Sequence, residues 1–378
     1  MLSCNSAVAE NQPAKKHRMN TELSSFAARL KTAIGTGFQN ENFNSLALEL
    51  FALQFQSNPA YRNICEARKL MPDVVEHWTQ IPAVPTAAFK ELELTSLTPA
   101  ERTAVFHSSG TTEQKPSRHF HNAESLAVYE TSLWHWFELH FDRTGDFLFL
   151  TPNPIAAPRS SLVHMFETVR QKLALSPTAF LGAIGADGSW LVDFAVIMQR
   201  LQNASDTGRP LTLFGTAFSF VHLLDHLAEN NLSFRLPHGS RVMETGGYKN
   251  RSRVLPKAEL HALITERLGV ARENIICEYG MSELSSQAYD GARREALAGG
   301  TSRPFHFPPW ARVQIISPET GREVADGETG LIRLFDLANV FSVAAIQTED
   351  LGIRRGTGFE LMGRAQLAES RGCSLLSA

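Results

Sequence analysis

RVMETGG, residues 241–247, is typical of a strand that ends in a glycine turn, and NIICEYG, residues 274–280, repeats the arrangement further along the chain. The residues between them, Leu255 to Leu268, have the apolar spacing of a helix. A strand, a helix and a second strand in this order predict two parallel strands joined by a helix across one face of the sheet. Because the carboxyl ends of parallel strands meet at one edge, the two glycine turns are expected to lie close together.

The same alternation of helices and strands begins at residue 123 and continues up to these segments. Short apolar runs predict strands in FLFL (147–150), TAFLGAI (178–184) and LTLFGT (211–216). Helical spacing predicts helices over 123–139, 160–174, 190–203 and 218–230, and also from Glu22 to about Leu70. The fold class is therefore α/β, with parallel strands between flanking helices.

From Val313 onward the pattern changes to short strands separated by turn residues. The predicted strands are VQIIS (313–317), GLIRLFD (330–336) and FSVAAI (341–346). They predict a smaller antiparallel region after the parallel sheet. The stretch 71–105, which contains several prolines, is expected to form loops and short helices.

Length and charge restrict the classes of protein to be considered. The chain has 378 residues, which is enough for one large domain or for two or three smaller ones. A formal net charge of -3, with no block of like charge, gives no argument for nucleic-acid binding. No apolar run approaches the ~20 residues of a membrane span, and residues 1–20 are predicted to be a disordered tail.

The chain has four cysteines, Cys4, Cys65, Cys277 and Cys373. No two of them form a C-x-x-C pair, so their spacing indicates neither a zinc site nor a disulfide framework. Free thiols are typical of a reducing compartment, which predicts a cytoplasmic protein.

The segment FHSSGTTEQKPSRHF, residues 106–120, places four hydroxyl side chains around one glycine, with a cation close behind. The residues concerned are Ser108, Ser109, Gly110, Thr111, Thr112 and Lys115. Glycine permits close backbone approach, while hydroxyl groups, backbone N–H groups and a lysine can hold phosphate oxygens. The segment lacks the Walker A pattern, and a polar surface turn is the alternative that it leaves open.

EYGMSE, residues 278–283, follows the last strand of the alternating region. Tyr279 can stack on a purine face, and Glu283 offers the hard oxygen ligand that Mg²⁺ prefers beside phosphates. Taken alone, the segment is equally compatible with a buried tyrosine and a solvated glutamate.

His119 and His121 flank the hydroxyl-rich segment at a spacing that places both on one side of a strand. No cysteine or carboxylate lies near them in sequence to complete a set of metal ligands. They are therefore expected to be surface or pocket-rim histidines.

The ordered set of motifs resembles the adenylate-forming superfamily of ATP-dependent acyl-activating enzymes, and within it the acyl-protein synthetase (LuxE) branch, near the phenylacetate–CoA ligases. The resemblance covers residues 45–376 and rests on IPAVPTAAFK (81–90), FHSSGTT (106–112), METGGYK (243–249), EYGMSE (278–283) and GRAQLAESRGCSL (363–375). It implies the N-terminal domain fold of that superfamily over 21–365, with the mobile C-terminal domain absent and a flexible arm over 366–378.

The resemblance also implies roles for single residues. The segment from Ser108 to Thr112 matches the phosphate loop, Lys115 a catalytic cation, and Glu283 the carboxylate linked to Mg²⁺. The residues that it implies for ATP or AMP binding are Gly246, Gly247, Tyr279, Gly280, Met281, Ser282, Asp350 and Arg364. Residues 214–218 match a segment beside the acyl pocket.

Cys373 matches the near-C-terminal cysteine that carries the acyl group in the acyl-protein synthetase branch. A small buried hydrophobe or an inert tail thiol is the alternative. Three positions depart from the usual superfamily motifs: Glu113 replaces a glycine, Lys115-Pro116 has the reversed order, and Glu349 stands where a glycine is usual.

Together these features predict a ligase that uses ATP and Mg²⁺ to activate a carboxylic acid, with a fatty acid as the expected substrate. The acyl group would pass from acyl-AMP to Cys373 and then to an acyl reductase, a carrier protein or coenzyme A. Two alternatives remain open. One is a phenylacetate-type acyl-CoA ligase, and the other is a non-catalytic nucleotide- or acyl-binding protein, which Glu113 and Glu349 favour.

Overall fold

The computed structural model describes residues 12–108, 115–186, 188–246, 255–291 and 303–364. Three helices come first: α1 (Gln12–Gly35), α2 (Phe43–Ser57) and α3 (Pro59–Ala67). The side chains of Asn42 and Asn58 accept hydrogen bonds from backbone N–H groups in the first turns of α2 and α3. These caps satisfy donors that have no partner within a helix. The helical pattern predicted for this region is confirmed.

Helix α1 begins earlier than the sequence predicts. It starts at Gln12, so residues 12–20 of the predicted disordered tail are helical. Its second residue is Pro13, which the first turn of a helix accepts because the missing N–H has no intrahelical partner there. Residues 1–11 lie outside the described part of the chain.

The loops and short elements predicted between 71 and 105 are confirmed. This region contains β1 (Val84–Pro85) and α4 (Ala88–Glu91), with short 3-10 helices at Trp78–Gln80 and Pro99–Glu101. It leads into an antiparallel hairpin of β2 (Ala104–His107) and β3 (Arg118–His121). The hairpin matters for function because its connection is the predicted phosphate loop.

Helices and strands then alternate up to residue 289. In chain order they are α5 (Ala123–Phe137), β4 (Asp146–Phe149), α6 (Ser161–Lys172), β5 (Gly182–Ile184), β6 (Trp190–Val192), α7 (Phe194–Thr207), β7 (Leu211–Thr216), α8 (Ala217–Glu229), β8 (Arg241–Thr245), α9 (Lys257–Leu268), β9 (Ile275–Tyr279) and β10 (Ala288–Tyr289). The alternation predicted from the sequence is confirmed.

Five of these strands form the central sheet, in the order β10-β9-β8-β7-β4. The last four run parallel to one another, and β10 is antiparallel at the edge. One face packs against α7, α8 and α9 through residues such as Val242 and Ile275. The other face packs against α5 and α6 through an aromatic cluster that includes Phe149 and Phe214. Burial on both faces explains why apolar residues predominate in these strands without a strict alternation.

Two stretches of this region differ from the prediction. Within TAFLGAI only Gly182–Ile184 forms a strand, and it pairs with β6 in a separate hairpin. The helix expected over 190–203 begins at Phe194, because Asp193 Oδ1 accepts a hydrogen bond from the Val196 N–H and caps the first turn. The residues before the cap, Trp190–Val192, are extended.

The predicted antiparallel region is confirmed as part of a second sheet. Its strands are β11 (Ala311–Ile316), β12 (Thr329–Asp336), β13 (Ala345–Arg355) and β14 (Gly358–Arg364), and β1 joins β13 in parallel. The strand predicted over 341–346 begins only at Ala345, since the Ala344 N–H donates to Gln54 Oε1 instead of a neighbouring strand.

The second sheet and the N-terminal helices share one hydrophobic cluster, separate from the two clusters on the faces of the central sheet. The edge where the two sheets approach each other is therefore built on packed elements from both ends of the chain. Among the described residues, no helix has both the length and the apolar character needed to cross a membrane.

Candidate nucleotide-binding site

The predicted phosphate loop connects the two strands of the β2–β3 hairpin. At its base the Ser117 N–H donates to Ser108 Oγ (2.9 Å), and the Ser108 N–H donates to the Ser117 carbonyl (3.3 Å). Ser108 therefore closes the hairpin. Six residues of the loop lie outside the described part of the chain: Ser109, Gly110, Thr111, Thr112, Glu113 and Gln114. Their phosphate-binding role stays a prediction.

Lys115 follows the loop at the protein surface. Its Nζ lies 3.1 Å from Glu91 Oε2, and both side chains are more than half exposed. An exposed ion pair of this kind contributes only about 0–1 kcal/mol, so it is easily exchanged for another anion. The predicted catalytic role of Lys115 stays a prediction.

His119 joins the hairpin to the turn after β9. Its Nδ1 donates to the Ser282 carbonyl (2.9 Å), and burial lowers the pKa of His119 to about 4, so the imidazole is neutral near pH 7. Burial also lowers the pKa of His121, which is 1% exposed. The expectation of surface or pocket-rim histidines is wrong, because the two-residue spacing turns both side chains toward the interior.

Three residues predicted to bind the nucleoside meet where the two sheets approach each other. The Tyr279 hydroxyl, at the end of β9, donates to Asp350 Oδ2 on β13 (2.9 Å). Arg364 on β14 is the cross-strand partner of Asp350, and its Nε lies 3.7 Å from Asp350 Oδ1. Burial raises the pKa of Asp350, while the Tyr279 hydrogen bond and the Arg364 charge act in the opposite direction. A half-buried carboxylate of this kind can accept hydrogen bonds from sugar hydroxyl groups.

The ring of Tyr279 is packed among phenylalanines. Its centroid lies 5.2 Å from that of Phe359, 6.1 Å from Phe305 and 6.2 Å from Phe307. The residue is 7% exposed. A purine would need one face of this ring, so the predicted adenine stacking stays a prediction.

The turn after β9 contains Gly280, Met281, Ser282 and Glu283. Ser282 Oγ donates to Glu283 Oε2 (2.9 Å), and Glu283 is 4% exposed. Tyr279, Asp350 and Arg364 are called the nucleoside cluster below. Burial raises the pKa of Tyr279 most, followed by the negative charge of Asp350. The charge of Glu283 raises it further by a smaller amount, so the Glu283 carboxylate acts on the nucleoside cluster. Its hard oxygens are of the kind that Mg²⁺ prefers, and the residue therefore fits the predicted metal role, which stays a prediction.

Asp336 anchors the same turn and was missed by the sequence analysis. Its carboxylate accepts hydrogen bonds from the Ser285 N–H (2.9 Å) and from Ser286 Oγ (2.7 Å). Burial raises the pKa of Asp336 to about 6, although these hydrogen bonds oppose the shift. No spacing signal points to the contact, because 51 residues separate Asp336 from Ser285.

The turn after β8 begins at Gly246, whose φ of +72° is one that residues with a Cβ rarely adopt. Gly247 lies outside the described residues. Just before the turn, Thr245 Oγ1 donates to Glu278 Oε2, and burial raises the pKa of Glu278 to about 7 in spite of this bond. A Cβ at position 280 would lie 2.4 Å from Glu278 Oε1, so Gly280 leaves room for this carboxyl group.

Of the residues predicted to take part in acyl transfer, the segment 214–218 lies in the described structure and Cys373 does not. Phe214, in the segment expected beside the acyl pocket, is fully buried in the aromatic cluster, and Thr216 Oγ1 caps α8 by accepting from the Ser219 N–H (3.0 Å). Cys373 lies outside the described residues, so its role and that of the arm over 366–378 stay predictions.

A polar cluster of Glu244, His261 and Cys277 was not predicted from the sequence. All three side chains are buried, and their ligand atoms lie within 4.8 Å of one another. Glu244 and Cys277 are paired in register on β8 and β9. The cysteine spacing gave no indication of this cluster, because its members come from three different elements. The available signal was that two neighbouring strands each carry one ligand-type residue within an apolar run.

Comparison with known proteins indicates the family. The profile of a family described as acyl-protein synthetase, LuxE, matches residues 32–377. The long-chain-fatty-acid–luciferin-component ligase of Aliivibrio fischeri is 26% identical over 364 aligned residues, covering 90% of this chain and 89% of the relative. The ligase of the same name from Vibrio harveyi is 24% identical over 348 residues, covering 89% and 87%.

Solved structures show the same fold. The 2-hydroxyisobutyryl-CoA ligase in complex with 2-HIB-AMP, in the postadenylation state, has a TM-score of 0.62 at 15% identity, covering 90% of this chain and 67% of that one. An open conformation of that ligase with 2-HIB-AMP and CoA has a TM-score of 0.61 at 16% identity, covering 83% and 74%. The predicted adenylate-forming fold, with parallel and antiparallel sheets and flanking helices, is confirmed.

Proposed function

Because the chain belongs to the acyl-protein synthetase, LuxE, family, we propose that it activates a long-chain fatty acid with ATP and transfers the acyl group to a protein thiol. The chain is a ligase. Its similarity to two long-chain-fatty-acid–luciferin-component ligases, along most of its length, supports a fatty acid as the substrate.

The observation that carries the proposal is the contact of Tyr279 with Asp350 and of Asp350 with Arg364. These residues come from two different sheets, yet they surround one carboxylate at the carboxyl end of β9, where ligands of open α/β sheets bind. We assign Asp350 to the ribose hydroxyl groups and Arg364 to the ribose or the α-phosphate. The ring of Tyr279 would face the adenine, beside the turn at Gly246 and Gly247.

The proposed chemistry has two steps. First, a carboxylate oxygen of the acid attacks the α-phosphorus of ATP, the bond to the β-phosphate oxygen breaks, and acyl-AMP and pyrophosphate are formed. Second, the Cys373 thiol loses its proton to solvent, and the thiolate attacks the acyl carbonyl carbon. The electron pair of the carbon–oxygen bond leaves with AMP, and a thioester remains on Cys373. Thiolates are effective nucleophiles for this kind of acyl transfer.

The protein would contribute to the first step by positioning and by charge stabilisation. The loop from Ser108 to Lys115 would hold the phosphate oxygens, and the His119–Ser282 hydrogen bond would keep that loop beside the turn after β9. Glu283 is the residue that would hold Mg²⁺. When bound, Mg²⁺ neutralises charge on the phosphate oxygens of ATP.

The finer assignments concern the partner and the compartment. A second protein thiol, on an acyl reductase or a carrier protein, would receive the acyl group from Cys373, with coenzyme A as the small-molecule alternative. A cytoplasmic setting would suit a chain whose described cysteines, Cys65 and Cys277, are both free thiols.

To test the proposal, the full chain is incubated with Mg·ATP and a labelled fatty acid, and in parallel with Mg·ATP and a labelled aryl acid. Wild type is expected to release pyrophosphate and acyl-AMP and to show a hydroxylamine-labile acyl adduct in its intact mass. Cys373→Ser is expected to form acyl-AMP without the adduct. Cys4→Ser changes the cysteine near the other terminus and is the matched control, which should keep the adduct.

Other outcomes would overturn parts of the proposal. Acyl-AMP from both proteins without an adduct on either would remove the thioester arm, and coenzyme A dependence of product formation would then indicate an acyl-CoA ligase. ATP binding without pyrophosphate exchange, for every acid tested, would leave a non-catalytic binding protein.

A further inference from the structure

The cluster of Glu244, His261 and Cys277 lies between the central sheet and α9. Cys277 Sγ donates to Glu244 Oε1 (2.6 Å), and His261 Nε2 lies 3.3 Å from the same oxygen and 3.5 Å from Cys277 Sγ. The three residues are 7%, 3% and 3% exposed in the order Glu244, His261, Cys277. A carboxylate, an imidazole and a thiol thus surround one point in the interior.

These spacings resemble those of donor atoms around a tetrahedral metal ion. Bond lengths of about 2.0–2.3 Å to zinc, at tetrahedral angles, place neighbouring donor atoms about 3.3–3.6 Å apart. The two distances from His261 Nε2, 3.3 and 3.5 Å, already fall in that range. The distance from Cys277 Sγ to Glu244 Oε1 is shorter because a proton lies between these atoms. Replacing this proton by a cation requires the pair to open by roughly 0.9 Å.

Charge also favours a divalent cation at this point. Burial and then the Glu244 charge raise the pKa of the Cys277 thiol, so the thiol is protonated near pH 7 and the carboxylate brings negative charge into an apolar interior. A divalent cation would displace the thiol proton to solvent, and its charge would balance one thiolate and one carboxylate beside a neutral imidazole. The site would then be electrically neutral.

The neighbouring charges already form a pair of their own. Lys257 Nζ lies 2.6 Å from Asp290 Oδ2, and Asp290 Oδ1 accepts a hydrogen bond from the Cys277 N–H (2.7 Å). The ammonium group of Lys257 also interacts with the Cys277 side chain, while Asp290 balances its charge, so Glu244 is the carboxylate that remains to the cluster. The hydrogen bond to the Cys277 backbone holds that residue in place on β9.

We propose that Glu244, His261 and Cys277 bind a divalent cation of the zinc class, with a water molecule completing the coordination. The mixture of one sulfur, one nitrogen and one oxygen ligand favours such a borderline-soft ion over Mg²⁺ or Ca²⁺. The ion would cross-link β8, β9 and α9 immediately before Gly246 and Tyr279. Its role would therefore be to brace the strand ends that carry the nucleoside site, and the proposal does not depend on the function proposed above.

The test uses the reduced full chain without ATP or fatty acid, so it is independent of catalysis. Zinc content after purification without chelators is measured by mass spectrometry, and Co²⁺ is titrated into metal-free protein as a spectroscopic probe. Wild type is expected to bind one ion per chain with a thiolate-to-cobalt charge-transfer band. Cys277→Ser should lose the band, whereas Cys65→Ser, a change at the other thiol buried in the described part of the chain, should keep it.

A second variant guards against misfolding of Cys277→Ser. Glu244→Gln keeps the size of the side chain, and it should weaken Co²⁺ binding by more than the roughly 10–100-fold that loss of a supporting partner costs at a metal site. Wild type that binds neither Zn²⁺ nor Co²⁺ under reducing conditions would overturn the proposal. A band that persists in Cys277→Ser would do the same, because the thiolate would then belong to another cysteine.

Discussion

Two buried carboxyl groups lie almost side by side on β8 and β9 but on opposite faces of the central sheet. Glu244 is paired in register with Cys277 and faces α9, where His261 completes a cluster of three ligand-type groups. Glu278 is paired with Thr245 and faces the aromatic side, where the Thr245 hydroxyl is its hydrogen-bond donor. The two register pairs are consecutive, and successive residues of a strand point to opposite faces. Glu244 is therefore a candidate metal ligand on one face, whereas Glu278 is a carboxyl group in apolar surroundings on the other.

The comparison shows that the neighbours, and not the residue type, decide what a buried carboxyl group can do. On the aromatic face the pKa of Glu278 rises to about 7, because burial disfavours the charged form and one hydroxyl group compensates little. On the α9 face, the Cys277 thiol and the His261 imidazole lie close enough to Glu244 for the three side chains to bind one cation together. The two faces should therefore respond differently to pH, to metal ions and to nucleotide.

Glu278→Gln should give the largest effect on stability. The rise in the pKa of Glu278 from 4.5 to about 7 corresponds to about 3 kcal/mol. Between these pH values the native protein keeps a proton that the unfolded chain releases, so the free energy of unfolding falls as the pH rises. The stability associated with the proton is complete below pH 4.5 and is lost as the pH passes about 7. Glutamine cannot ionise, so the variant should gain Tm relative to wild type between pH 5 and pH 8.

Glu49→Gln provides the matched control, because its side chain is 41% exposed and pairs with Arg29 at the surface. The measurement is the Tm of wild type, Glu278→Gln and Glu49→Gln, determined by thermal unfolding at several pH values between 4 and 8. Parallel pH profiles for wild type and Glu278→Gln would mean that this carboxyl group ionises normally in the folded protein. The contrast between the two faces would then have no electrostatic basis.

Asp350→Asn should give the second-largest effect, on the edge that carries the nucleoside cluster. Asparagine keeps an acceptor for the Tyr279 hydroxyl but loses the charge, and hydrogen bonds to a charged group contribute about 1.5–3 kcal/mol. The expected result is a loss of roughly 10–100-fold in kcat/KM for ATP in the acyl-AMP reaction. Glu349→Gln, at the exposed neighbouring position, is the control and should stay near wild type.

The Asp350 result would also sharpen the distinction between the two faces. Co²⁺ binding should be the same in Asp350→Asn and wild type if the cluster of Glu244, His261 and Cys277 is an independent metal site. An unchanged kcat/KM in Asp350→Asn would instead remove the carboxylate from nucleotide binding and leave it as a structural partner of Tyr279.

The sequence predicted those features that depend on local pattern. Strands β7, β8 and β9 were recognised because burial on both faces produces short apolar runs, and the intervening helices because their apolar residues recur at helical spacing. The family resemblance then led to Tyr279 and Asp350, which lie 71 residues apart in the chain and share a hydrogen bond in the structure. Spacing alone would not have paired them.

The features that were missed depend on how distant elements pack. The cluster of Glu244, His261 and Cys277 forms only when β8 pairs with β9 in this register and α9 turns His261 toward both strands. Neither of these arrangements has a local signature in the sequence. The burial of His119 requires the contact with Ser282, 163 residues away. The early start of α1 has a different cause, since a polar, charged stretch with a proline was interpreted as a tail although it is compatible with a first helical turn.

Gly280→Ala should give the smallest effect and tests how closely Glu278 and the turn after β9 are coupled. The new Cβ would lie 2.4 Å from Glu278 Oε1, a contact that forces the carboxyl group to move. Because the displaced group is the end of a side chain, the loss should be about 1 kcal/mol, the lower end of the range for overpacking. A double-mutant cycle with Glu278→Ala, followed by thermal unfolding, isolates the contact, since removing the carboxyl group should abolish the effect. Additive effects in this cycle would show that position 280 is constrained by the backbone of the turn rather than by the buried acid.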